Sequence, residues 1–127
     1  MILPSKELLS EVLEFEITNI PQHQNSKKLE FYSKVHSSKC IFEKSGDLTK
    51  GSMFSINIYE LMHMMKEWAV LKYGIEISST VVKDNGGIYS NAYTTSDKDC
   101  ISFDANDNLE PEAVTRACEW ILKEIQK

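Results

Sequence analysis

Apolar residues Leu8, Leu9, Val12 and Leu13 follow Ser5 at spacings that fall on one side of a helix, so the pattern predicts a short helix over 4–13 with Ser5 as its N-cap. The period then changes to two. Phe15 and Ile17 alternate with Glu14, Glu16 and Thr18 until Pro21, which predicts a first strand. After the polar turn 22–27, Leu29, Phe31, Ser33 and Val35 alternate with Glu30, Tyr32 and Lys34 as a second strand, hairpin-paired with the first. Cys40, Ile41 and Phe42 suit a third strand. Ser45, Gly46, Asp47, Lys50 and Gly51 are turn-forming residue types and predict a loop.

A capping box opens the central part of the chain, with Asn57 at the N-cap and Glu60 three residues later. Ile58, Leu61, Met62, Met65, Trp68 and Ala69 continue at helical spacing to Tyr73, and Gly74 stands where a left-handed C-terminal residue belongs. Ile75, Ile77, Ser79 and Val81 alternate with polar neighbours, and Asp84-Asn85-Gly86-Gly87 predicts a hairpin turn into a strand over 88–95. Cys100 to Asp104 predicts a last strand and 104–110 a loop. Pro111 begins a helix whose Val114, Ala117, Cys118, Ile121, Leu122 and Ile125 form one apolar face. These elements predict an α+β fold: one mainly antiparallel sheet of five to six strands, covered by one short and two long amphipathic helices in a single domain, 1–127.

With 127 residues, 42% of them hydrophobic, the chain can bury a core without metal or disulfide. The longest unbroken apolar run, Trp68 to Leu71, is far below a membrane span, and the N-terminus has no signal-peptide pattern, which predicts a cytoplasmic protein off the membrane. Nineteen acidic against fourteen basic side chains give a net charge of −5. With Arg116 as the one arginine, the balance argues against direct binding of duplex nucleic acid. The cluster of Lys27, Lys28, Lys34 and Lys39 is read as a solvated hairpin surface. Cys40, Cys100 and Cys118 lack paired spacing and are read as reduced thiols, mostly buried.

Several patterns approach known chemistry. Asp104, Asn106 and Asn108 match the first oxygen ligands of a calcium loop, but Leu109 stands where glycine is needed and Thr115 where the bidentate glutamate is needed. His63 and Glu67 make an i, i+4 pair with no second histidine nearby, and are read as an exposed helical pair. His36 and Cys40, four apart on extended chain, are too distant for a base and its nucleophile. No cofactor or metal is implied. Met64, off the apolar stripe of the central helix, is a candidate contact residue.

Two surfaces stand out for binding. Ser78, Thr80, Tyr89, Asn91 and Tyr93 are placed to share one sheet face rich in hydroxyls and flat rings, which suits a protein partner or a small polar ligand as well as plain solvent. Asp97, Asp99, Asp104, Asp107, Glu110 and Glu112 put six carboxylates in sixteen residues with only Lys98 against them. Glu112 complements the dipole of the last helix. The other five have no folding duty visible in the pattern and are candidates for contact with a basic partner, alongside Tyr89 and Tyr93.

The segments Ile56-Asn57-Ile58-Tyr59-Glu60-Leu61 and Lys66-Glu67-Trp68-Ala69, with Glu110-Pro111-Glu112-Ala113 and Arg116-Ala117-Cys118-Glu119-Trp120, resemble small uncharacterised proteins of bacteriophages, prophages and plasmids. The opening of the last helix after a short meander also resembles phage proteins with an α-β-α sandwich domain. The resemblance covers about residues 56–125, rests on caps and packing positions, and carries over no site. It implies a mobile-element accessory protein. The expected function is therefore non-enzymatic binding of a host protein, with inhibition of a host defence system as its specific form. Two other readings stay open: sequestration of a small nucleotide-like ligand, with a homodimer as one form, and an enzyme using His63, Glu67 or Cys100.

Overall fold

A computed structural model describes residues 3–14, 16–20, 28–33, 43–48, 51–95, 104–107 and 109–125. Its elements run α1 (Lys6–Leu13), β1 (Lys28–Ser33), β2 (Glu43–Leu48), β3 (Gly51–Asn57), α2 (Ile58–Tyr73), β4 (Glu76–Asp84), β5 (Gly87–Thr95), β6 (Asp104–Asp107) and α3 (Glu110–Ile125). The chain is α+β, as its patterning predicts, but the strands do not form one sheet. They form two antiparallel three-stranded sheets, ordered β1-β3-β2 and β4-β5-β6. Each sheet lies in its own compact unit, one spanning Ser5–Leu61 and the other Met62–Lys127 together with Met1–Pro4.

In the Ser5–Leu61 unit, the Ser5 side chain accepts from the Leu8 N–H at 3.1 Å and opens α1, which buries Leu8, Leu9, Val12 and Leu13. Glu14 ends the helix in the left-handed region at φ 61°, its N–H donating to the Ser10 carbonyl. The expected first strand is reduced to an extended stretch. Among its described residues Asn19 alone forms a bridge, to Tyr32, with the Thr18 and Tyr32 N–H groups donating across at 2.7 and 2.8 Å. Phe15 lies outside the described residues. The full partner of β1 is instead β3, which places Phe31 opposite Phe54 with their rings stacked at 5.8 Å, and Leu29 opposite Ile56. All four are buried.

The loop expected over 45–51 is mostly strand: Ser45, Gly46 and Asp47 belong to β2 and Gly51 opens β3, with a register shift between Ser45 and Asp47. Pairing with β3 overrides the local turn preference of these residues. The third strand predicted at Cys40–Phe42 lies outside the described residues, as do Lys27, Lys34 and Lys39 of the basic cluster.

From α2 onward the local signals hold closely. Asn57, the last residue of β3, caps α2: its Oδ1 accepts from the Tyr59 N–H at 2.8 Å and from the Glu60 N–H at 3.4 Å. Gly74 closes the helix with φ +67°, and the Gly74 and Ile75 N–H groups donate to the Val70 and Ala69 carbonyls. Strands β4 and β5 pair in unbroken register from Glu76↔Thr95 to Asp84↔Gly87, leaving Asn85 and Gly86 as the loop. The positive φ falls on Gly87, at +119°, rather than on the Asn-Gly pair, and Asp84 Oδ1 accepts from the Gly86 N–H at 2.7 Å. Asp104–Asp107 is strand β6, paired with β5, so the expected loop is strand over those residues. The predicted strand residues Cys100–Phe103 lie outside the described residues.

Helix α3 packs on this sheet, contacting β4, β5 and β6. It buries Val114, Ala117, Cys118, Ile121 and Leu122 against a sheet face that contributes Ile77, Ala92, Thr94 and Ala105. The side chain of Ile125 lies outside the described residues. Met65 and Trp68 of α2 are buried as well, and Met65 is in contact with α3: its carbonyl faces Cys118 Sγ at 3.9 Å and its sulfur faces Thr115 Oγ1 at 3.8 Å. Met62 and Met64 are half-buried.

Candidate docking face of the β4-β5-β6 sheet

Side chains alternate across a strand, so packing α3 on one face of this sheet leaves a second face with a fixed membership. Register places Ser78 opposite Tyr93, Thr80 opposite Asn91 and Val82 opposite Tyr89. From β6, Asp104 stands opposite Tyr93 and Asn106 opposite Asn91. The hydroxyl and ring residues picked out by alternation thus share one face, and β6 extends it by a carboxylate and an amide. Tyr93 is 43% exposed; Tyr89 and Asn91 are half-buried.

Asn91 organises the β5–β6 side of the face. Its Nδ2 donates to Asp104 Oδ1, to Asn106 Oδ1 at 2.9 Å and toward the Ala105 carbonyl at 3.4 Å. The amide holds the carboxylate of Asp104, the residue paired with Tyr93 across the strands, so the charge is kept in place on the surface. Among the described residues, the acidic members of the face are Glu76, Asp84 and Asp104, and none is lysine or arginine. A half-exposed, tyrosine-bearing surface of one charge sign suits a partner of opposite sign, because aromatic rings give contact area while the carboxylates steer and select.

The other carboxylates singled out in the sequence separate from this face. Asp107 stands opposite Ser90, on the side turned to α3, where its Oδ2 accepts from Arg116 Nε at 2.7 Å. Its side chain is only 11% exposed, against 49% for Arg116. Glu110 Oε2 accepts from Ser79 Oγ at 2.5 Å and joins the start of α3 to β4. Both therefore carry a folding duty that the sequence pattern does not disclose. Asp97 and Asp99 lie outside the described residues. Of the expected acidic patch, Asp104 is the member that the structure brings together with Tyr89 and Tyr93. Glu76 and Asp84 join them from β4: the period of two that relates Ser78 to Thr80 also puts residues 76 and 84 on this face, a signal present in the spacing itself.

The remaining chemistry is plain. His63 Nε2 and Glu67 Oε1 meet at 2.8 Å on the exposed side of α2, as an i, i+4 pair. Cys118 is buried, and burial together with the charge of Glu119 pushes its thiol pKa far up, which keeps it protonated. Among the described residues, no group of three His, Cys, Asp or Glu side chains is placed to hold a metal ion, and no helix is long and apolar enough to cross a membrane. Compared with known proteins, the chain matches no family model, no curated protein and no solved structure.

Proposed function

We propose that this chain is a non-enzymatic binding protein that docks a basic surface of another protein on the β4-β5-β6 face carrying Tyr89, Tyr93 and Asp104. The observation that supports it is the one-sided charge of that face: three carboxylates, two tyrosines, and no basic side chain among its described residues. The phage and plasmid resemblance gives the setting, in which the partner is a bacterial host protein. An acidic domain of this size inhibits a nucleic-acid-handling host factor when it covers the basic channel that the nucleic acid would use. Inhibition of a host defence factor is the specific form of the proposal.

The test is capture from bacterial lysate with the wild-type chain and with a Tyr93→Ala/Asp104→Asn variant, followed by identification of both proteins and small molecules retained. The expected result is a basic protein held by the wild type at low salt and lost by the variant. Recovery of a nucleotide-like small molecule with no protein partner overturns the proposal in favour of ligand sequestration.

A further inference from the structure

Beside the docking face, β4 is an edge strand of the same sheet among the described strands. Strand β4 pairs with β5 on one side, and no described strand pairs with it on the other. It is nine residues long, contains no proline, and keeps unbroken register along its whole length. Edge strands are normally blunted by proline, by bulges or by charge in the middle of the strand, because their unpaired N–H and C=O groups otherwise accept another strand. Here the six central residues, Ile77 to Val82, are all uncharged. Thr80, Val81, Lys83 and Asp84 are exposed, and Val81, a large apolar side chain, is 63% exposed.

We propose that the β4 edge takes an extended, basic segment of the partner protein as an added antiparallel strand, a mode that rests on the docking-face reading above. Antiparallel addition continues the pattern of the sheet and lays alternate side chains of the incoming segment on the acidic, tyrosine-bearing face. Charge complementarity selects the occupant. The two ends of β4 present Glu76 and Asp84 on that face, so the incoming strand carries a lysine or arginine at each end of a nine-residue window. Lys83 stands on the opposite face, beside Asp84 in sequence, and calls for an acidic residue next to one of those terminal bases. Between them, β-branched residues cover Val81 and lie against Thr80 and Val82.

A capped nine-residue peptide with lysine at both ends, glutamate second, and valine and threonine between tests this with the intact protein. Its binding is read by fluorescence anisotropy, beside two forms carrying N-methyl groups on alternate amides, one set per form. In an added strand only one alternate set of amides points at β4. One methylated form should therefore bind within about twofold of the parent and the other about tenfold or more weaker, and the parent should slow amide exchange along β4. Equal binding of both methylated forms overturns strand addition while leaving charge docking on the face intact. Failure of the parent peptide to bind overturns strand addition as well, and lysate capture with the Tyr93→Ala/Asp104→Asn variant then decides the docking-face reading separately.

Discussion

Thr94 is buried on the α3-facing side of β5, yet its Oγ1 has no hydrogen-bond partner among the described residues. A buried hydroxyl without a partner costs about 1 kcal/mol or more, and valine has nearly the same shape without the polar atom. Thr94→Val should raise stability by about 1 kcal/mol, read as a Tm increase of a few degrees in thermal denaturation. Cys118 provides a test through pH. Its folded pKa is raised by burial and by Glu119, while the unfolded thiol titrates near the ordinary value of about 8.5. The stabilisation is therefore complete below that value. It falls as pH rises above it, because the unfolded chain releases a proton that the folded chain keeps. Stability measured from neutral to alkaline pH should decline more steeply for the wild type than for Cys118→Ala, even though the variant starts lower through lost packing. At this scale, Asp107 and Glu110 are the residues whose folding contacts the sequence pattern discloses least. Both look like solvated charges in a loop, and only the pairing of Ser90 with Asp107 reveals that the carboxylate faces α3 and Arg116.

Among the elements, those with local causes were legible. The boundaries of α1 and α2 follow from Ser5, Asn57 and Gly74, residues whose side chain or φ satisfies a helix end within a turn of where they stand. Strand pairing is not local, and there the pattern misled. Strand β1 reaches past β2 to pair with β3, and Ser45, Gly46 and Asp47 join β2 although each favours a turn. Trp68 is buried on α2 with its ring edge-on to Tyr73 at 5.3 Å, so Trp68→Ala should cost roughly 3–5 kcal/mol and strongly lower the urea midpoint. An unchanged midpoint would mean that this helix face does not support the fold. Asp107→Asn removes the charge paired with Arg116 at the α3–β6 contact. Because Arg116 is half-exposed, the loss should be modest, about 0.2–1 kcal/mol in the same denaturation experiment. Asp104→Asn should lie near zero, since asparagine retains an oxygen acceptor for the Asn91 amide at an exposed site.

Over the whole molecule, a net charge of −5 and a sheet face whose described charged members are all acidic favour encounter with basic partners and make that encounter sensitive to salt. The ingredients of the face were visible as alternation in 78–93. Its sign was legible in part: alternation within β4 sets Glu76 and Asp84 on the side of Ser78 and Thr80, whereas Asp104 arrives only through the pairing of β6 with β5. The most direct measurement is the dissociation constant for the protein captured from lysate, taken at low and at physiological ionic strength, for the wild type and for Tyr93→Ala/Asp104→Asn. The account predicts that the double variant keeps its Tm, binds about tenfold or more weakly at low salt, and loses much of the salt dependence. Equal affinity and an equal salt slope in the two proteins would contradict it and move the interface off this sheet.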